Sequence, residues 1–280
     1  MSKELRLRGS VLSLDRPRIM GILNVTPDSF SDGGRFQERE AALAQARALA
    51  EAGADLLDVG GESTRPGAQE VPVQEELDRV IPVIEAVAGL GIPVSVDTRK
   101  AAVMREAVAA GAAMVNDVSA LGHDPEARAA AAELEVPVCL MHMQGTPETM
   151  QDDPRYGDVV AEVKGFLAGR ADSCREAGVD GDNILVDPGI GFGKTVDHNL
   201  ALLRHLDELT ELGYPVLVGT SRKSLVGKVL DRPLGERVHG DCAVVAWAVA
   251  RGADIVRVHD VGAMRDAVRM TTALMGGGYT

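Results

Sequence analysis

Short apolar runs recur eight times along this chain, most of them entered through one of two kinds of hinge, so the order of elements is legible before any residue has a role. One hinge is built of small residues. Gly53-Ala-Asp55 precedes Leu56-Leu-Asp-Val59, Gly111-Ala-Ala113 precedes Met114-Val-Asn-Asp-Val118, and Gly252-Ala-Asp254 precedes Ile255-Val-Arg-Val258. The other uses proline, in Ile92-Pro-Val-Ser-Val-Asp97, Val136-Pro-Val-Cys-Leu-Met-His142 and Tyr214-Pro-Val-Leu-Val-Gly219. Gly178 ahead of Ile184-Leu-Val-Asp-Pro188 adds a seventh run, and Met20-Gly-Ile-Leu23 is the first in chain order.

Helical patterns separate the runs, at about 38–52, 74–90, 100–110, 127–134, 159–177, 199–212, 238–251 and 264–275. Strands alternating with helices imply right-handed crossovers and a parallel sheet. Eight such units in 280 residues predict an α/β chain folded as a (β/α)8 TIM barrel, one domain over residues 1–280 with no linker or low-complexity run to divide it. An open doubly wound sheet is the alternative, but the Gly-x-Gly-x-x-Gly turn is missing after the first strand. Ahead of the barrel, within residues 1–18, Leu5, Leu7, Val11, Leu12 and Leu14 around Gly9-Ser10 predict a short β-hairpin that covers a surface rather than acting chemically.

Charge narrows the function. A formal net charge of -13 argues against nucleic acid or an acidic membrane as partner, so an anionic ligand needs a local cluster of Arg and Lys. Cys139, Cys174 and Cys242 are odd in number and far apart, which suits reduced thiols in a cytoplasm rather than a disulfide framework or a zinc site. The N-terminus alternates charge with leucine, so neither a signal peptide nor a membrane span is expected.

In a barrel of this kind the C-terminal strand ends build the active site. Standing there are Asn24, Gly60-Gly-Glu-Ser-Thr-Arg65, Asp97-Thr98, Asn116-Asp117, Met141-His142, Asp187, Ser221-Arg-Lys223 and Arg257-Val-His259-Asp260. Any one acid there reads as a helix cap or an ion pair, yet caps do not explain all eight ends together. Two chemical sets emerge. Asp97, Asn116 and Asp187 suit the edge of a flat nitrogen heterocycle, where a carboxylate accepts two N–H groups. Thr64, Arg65, Lys223, Arg257 and His259 are donors suited to phosphate oxygens.

Other motifs do not hold. Gly189-Ile-Gly-Phe-Gly-Lys-Thr195 resembles a phosphate loop, but the spacing requires glycine where the chain has Pro188. No zinc set assembles from closely spaced His and Cys, and His142 and Cys139 read as structural. The polar stretch from Thr26 to Gly34 is either an ordinary turn or a lid over the mouth.

Taken together, Asn24-Val-Thr-Pro-Asp-Ser-Phe-Ser-Asp-Gly-Gly34, Asp58-Val-Gly-Gly-Glu-Ser-Thr-Arg-Pro-Gly67, Ser95-Val-Asp-Thr98, Asn116-Asp117, Asp187-Pro-Gly-Ile-Gly-Phe192, Ser221-Arg-Lys-Ser224 and Arg257-Val-His-Asp260 resemble the bacterial dihydropteroate synthase family. The resemblance runs in order from about residue 16 to 275. It implies a cytoplasmic homodimer of folate biosynthesis, a target of sulfonamides, that joins 6-hydroxymethyl-7,8-dihydropterin diphosphate to 4-aminobenzoate with Mg2+. Carried over by position, Thr64, Asp97, Asn116, Asp187 and Lys223 hold the pterin diphosphate, and Arg257 and His259 grip its diphosphate. Asn24 is the protein ligand to Mg2+, Arg65 rides on a mobile loop beside Thr64, and Phe30, Pro66, Phe192 and Ser224 frame the aminobenzoate. Asp32 stabilises a cation or takes the amine proton. The pattern departs from the family at Asp241-Cys242, which bears only on dimer packing. Two alternatives stay open: a pterin barrel serving methyl transfer from a methylated folate to a corrinoid, and a non-catalytic paralogue that binds pterin.

Overall fold

The structure is a computed structural model that describes residues 3–26 and 34–278, apart from the side chains of 34–38. Eight parallel strands form one sheet: β3 (Arg18–Asn24), β4 (Leu56–Gly60), β5 (Val94–Asp97), β6 (Met114–Asp117), β7 (Val138–Met141), β8 (Ile184–Asp187), β9 (Leu217–Gly219) and β10 (Ile255–Val258). Neighbours follow the order β8-β7-β6-β5-β4-β3-β10-β9. The two ends of that order meet at a parallel bridge between Val186 and Val216, with the Val186 amide donating to the Pro215 carbonyl at 3.0 Å. A (β/α)8 barrel results, and an open doubly wound sheet is excluded because its edge strands would not meet.

Ten helices are described: α1 (Gly34–Ala52), α2 (Val73–Ala88), α3 (Ala101–Ala109), α4 (Ala127–Leu134), α5 (Val159–Glu176), α6 (Val196–Arg204), α7 (Asp207–Thr210), α8 (Ser224–Leu230), α9 (Val238–Ala250) and α10 (Val261–Leu274). The helix predicted over 199–212 is two. Thr195 caps α6 in a reciprocal capping box with His198, and the chain leaves helical geometry at His205 before α7. Helix α8 is absent from the sequence reading because its seven residues are too few to show a period. Among the described helices none is long and apolar enough to cross a membrane.

The small hinges do two jobs at once. Gly53 and Gly252 take φ of 103° and 96°, the left-handed geometry that ends α1 and α9. Two residues on, Asp55 accepts the Ile19 amide at 2.8 Å and Asp254 accepts the Val216 amide at 2.8 Å, so each hinge also fixes the start of a neighbouring strand.

Side chains alternate across the barrel wall. Outward-facing Leu23, Leu57, Val59, Val96, Val115, Leu140, Val186, Val218 and Val258 pack under the helices in one large core. Inward-facing Met20, Leu56, Met114, Cys139, Leu185, Leu217 and Ile255 form a second core. Below it lies the hairpin of β1 (Glu4–Leu7) and β2 (Ser10–Ser13), whose Leu5 and Leu7, with Leu14, complete this second cluster and plug the barrel's lower end. Each such side chain contributes about 1.5–3 kcal/mol when fully buried. The hairpin therefore covers a surface, and that surface is the barrel floor.

Candidate active site

Two residues farther along the same inward faces the chemistry reverses. Asp58 in the middle of β4, with Asp97, Asn116, Asp187 and Arg257 at or next to the C-terminal ends of β5, β6, β8 and β10, stands above the apolar layer. Arg257 is their hub. Its Nε donates to Asp58 at 2.6 Å and its Nη2 to Asp97 at 2.7 Å, while the Asn116 amide donates to Asp58 at 3.0 Å. The sequence reading set Arg257 only among donors for phosphate, whereas the fold makes it also the counter-ion of the acidic set.

Asp58 was not a candidate from sequence. It is fully buried, and one carboxylate oxygen has no hydrogen-bond partner. The signal was an acid in mid-strand, on the same face as Leu56 and Gly60, where a charge has no place unless it is paired.

A small cavity opens beside this cluster. Asn116, Asp187, Lys223 and Arg257 give it a polar side, and Val118, Met141, Ile190 and Phe192 an apolar one. Asp187 accepts the Gly189 amide at 2.7 Å through Oδ1. The Lys223 ammonium lies 4.0 Å from the centroid of the Phe192 ring, a cation–π contact that spans the cavity wall. A flat ring with a polar edge matches such walls.

Burial dominates the titration of these groups. It pushes Asp97 up to about 7 against the pull of Arg257, with Asp58 and Asp117 adding to the rise. Asp187 is pushed up to about 6 by burial, opposed by the Gly189 amide and by Lys223. Lys223 falls to about 8 through burial and the nearby Arg257 charge, and Arg257 itself is held as a cation by its two carboxylates. His259 falls to about 3 through burial and the neighbouring arginines, so it is a neutral imidazole. Its Nδ1 meets the Ser221 hydroxyl at 3.2 Å.

The glycine-rich stretch after β8 does not cradle phosphate. Lys194 is buried, and its ammonium reaches the Gly189 carbonyl at 3.0 Å, the Phe192 carbonyl at 2.9 Å, the His142 carbonyl at 3.2 Å and His142 Nδ1 at 2.9 Å. The Lys194 amine is tied to acceptors of its own loop and of His142, and the loop presents Ile190 and Phe192 to the cavity. His142 is thereby structural, packed edge-on against Phe166 at 4.8 Å, and Cys139 belongs to the apolar layer.

The loop between β4 and α2 is anchored rather than inserted. Glu62 pairs with Arg99 and Lys100, and Lys100 also reaches Glu76 at 2.6 Å. The Gly67 amide donates to the Pro147 carbonyl at 3.0 Å. Thr64 is half-buried, Arg65 and Pro66 are exposed, and none of the three lines the cavity. Ser224 is exposed as the first residue of α8, and Asn24 ends β3 beside Gly60 of β4. Phe30 and Asp32 lie outside the described residues.

Asn116 and Asp117, neighbours in sequence, part company on β6. Asn116 faces inward, whereas Asp117 accepts the Ser119 amide and hydroxyl, both at 2.6 Å, and holds the turn in which Ala120 and Leu121 are left-handed. The reading of Asp241 is corrected too. It is fully buried beneath the 220–223 turn, where its Oδ2 accepts the Arg222 amide at 3.0 Å, so it serves this turn.

Residues 20–259 match the family model described as pterin binding enzyme. A dihydropteroate synthase of Synechocystis sp. is 51% identical over 92% of this chain and 90% of its own length. The dihydropteroate synthase of Xanthomonas albilineans with 4-aminobenzoic acid superposes with a TM-score of 0.93 at 54% identity, covering 99% of this chain and 100% of that one. A structure of the enzyme from the same organism in complex with 7,8-dihydropteroate gives 0.89 at 51% identity, covering 98% and 100%.

Proposed function

This chain belongs to the dihydropteroate synthase family of pterin binding enzymes, and from that premise we propose how its barrel mouth transfers a pterinylmethyl group. The reaction joins 6-hydroxymethyl-7,8-dihydropterin diphosphate to 4-aminobenzoate and yields 7,8-dihydropteroate and diphosphate. One observation carries the site assignment. A polar edge of Asn116, Asp187 and Lys223 stands across a single cavity from the apolar wall of Val118, Met141, Ile190 and Phe192.

The free oxygen of Asp187 and the Asn116 amide take the amino-pyrimidinone edge of the pterin. Lys223 and Phe192 clasp its ring. The bond between the pterin methylene and the diphosphate oxygen breaks first, its electron pair leaving with diphosphate. Positive charge then spreads over the dihydropterin, above three carboxylates matched by only two cations, Asp58, Asp97 and Asp187 against Arg257 and Lys223. Where Asp97 and Asp187 are ionised, that excess of negative charge stabilises the developing cation. The aminobenzoate nitrogen attacks late, forms the new C–N bond and loses its proton, for which Asp32 is the acceptor we assign. Arg65 and Thr64, brought down with their loop, and neutral His259 as an N–H donor hold the diphosphate, together with the open edge of Arg257. Phe30, Pro66 and Ser224 frame the aminobenzoate, and sulfonamide mimics of that substrate compete there.

Mg2+ suits the donor set. Among the described residues no group of three or more His, Cys, Asp or Glu is placed to hold a metal, and Asn24 offers a hard amide oxygen at the mouth. Mg2+ held at Asn24 would neutralise charge on the leaving diphosphate. We further propose a homodimer. Val229, Leu230, Leu234, Met270, Leu274 and Met275 expose apolar surface on and after α8 and along the end of α10, which a second copy would cover. Three free cysteines suit a cytoplasmic location.

The test is release of diphosphate on mixing both substrates with Mg2+. Release only when both are present is expected, and its absence under those conditions would refute the assigned activity.

A further inference from the structure

The turn that delivers Lys223 is held in an unfavourable backbone geometry. Arg222 has φ of 59°, a left-handed conformation in which a residue with a Cβ is strained unless its surroundings impose it. On one side of it Ser221 accepts the His259 amide and meets the His259 ring, each at 3.2 Å. On the other Lys223 lies over Phe192 in the cavity wall. What imposes the geometry comes from a different element. The Asp241 carboxylate, in the first turn of α9 and fully buried, accepts the Arg222 amide at 3.0 Å, and its other oxygen has no partner. Burying a carboxylate with one oxygen unsatisfied is costly, so its placement needs a return elsewhere. The Arg222 side chain does not supply the restraint, because it points to Asp260 at 3.1 Å with both groups substantially exposed.

We propose that Asp241 is a positioning residue of the active site. By fixing the Arg222 amide it holds the left-handed turn that aims Lys223 at the pterin and Ser221 at His259. The proposal rests on the transfer reaction assigned above, and it predicts a pattern that simple loss of stability would not produce.

In the diphosphate-release assay, Asp241→Ala should raise KM for the pterin diphosphate roughly tenfold, the scale of one hydrogen bond to a charged group. KM for 4-aminobenzoate should change far less. Adding Arg222→Gly should recover most of the loss, since glycine takes the same φ without strain. Asp241→Asn, which keeps an acceptor oxygen, should also stay close to wild type. Amide hydrogen exchange, read on the folded proteins, should show lost protection at Arg222 in Asp241→Ala. An unchanged KM in Asp241→Ala, or an equal loss with and without Arg222→Gly, overturns the proposal. A wild type that releases no diphosphate overturns the assigned reaction itself, so the two failures are told apart.

Discussion

On β4, β6, β8 and β10 the two layers inside the barrel are made two residues apart on one strand, yet they answer to different demands. In the lower layer Met20, Leu56, Met114, Cys139, Leu185, Leu217 and Ile255 meet the hairpin leucines in an apolar plug. In the upper layer Asp58, Asp97, Asn116, Asp187 and Arg257 crowd charges into space that is nearly as dry. The lower layer gains by being buried, whereas in the upper layer Arg257 pairs with Asp58 and Asp97 and Asp187 rests on the Gly189 amide. Stability and chemistry are thus stacked along one axis, with the hairpin closing the end where no reaction occurs.

If that division holds, the two layers should fail differently. Arg257→Ala should give the largest effect. It would leave Asp58 and Asp97 as buried carboxylates without their cation, at about 3–5 kcal/mol of stability, and should cut turnover by roughly two to three orders of magnitude. Denaturant unfolding beside diphosphate release measures both. Wild-type turnover would remove Arg257 from the site. Leu5→Ala should cost about 2–5 kcal/mol of stability by opening a cavity under the floor. Its kcat/KM, measured well below the melting temperature, should remain that of the wild type. A matching fall in kcat/KM would mean that the floor shapes the mouth, and the separation of layers would fail.

How much of this could be read from the sequence depends on range. The barrel was legible because hinges such as Gly53-Ala-Asp55 and Gly252-Ala-Asp254 repeat a local solution to one problem, a helix end joined to a strand start. Asn116, Asp187, Lys223 and Arg257 were legible as strand-end residues that converge in any closed barrel. The partnerships were not. Asp58 pairs with Arg257 across 199 positions of chain, and nothing local to either marks the other. Lys194 looked like part of a failed phosphate loop because its four acceptors come from backbone and His142, which carry no signature in sequence. The break at His205 escaped detection for a different reason, since the apolar spacing of 199–212 continues through it.

The smallest effect, and the finest cut between the layers, lies in pH. Asp187 has its pKa pushed up to about 6 from an ordinary value of 3.8 because it is buried. A carboxyl raised in the folded state adds stability that is fully present below pH 3.8 and is lost as pH rises through about 6, since the folded protein must then carry a buried charge. Pterin binding needs the opposite, an ionised carboxylate to accept the amino-pyrimidinone N–H groups. Between pH 4 and 7, therefore, acidification should favour this part of the fold while weakening the pterin, by roughly tenfold per pH unit below the pKa. Asp187→Asn separates the two trends, because the amide is neutral at every pH and its oxygen still accepts the Gly189 amide. Its stability relative to wild type should grow with pH, by about 1–3 kcal/mol between pH 4 and 7.5, while its weak pterin affinity stays flat. Parallel stability curves for the two proteins would show that Asp187 titrates alike in folded and unfolded chains, and the electrostatic cost assigned to the upper layer would then have to lie with Asp97. The same scan on Leu5→Ala should parallel the wild type throughout, since no titrating group lies in the apolar cluster that Leu5 joins except the Cys139 thiol, which burial raises well above this range.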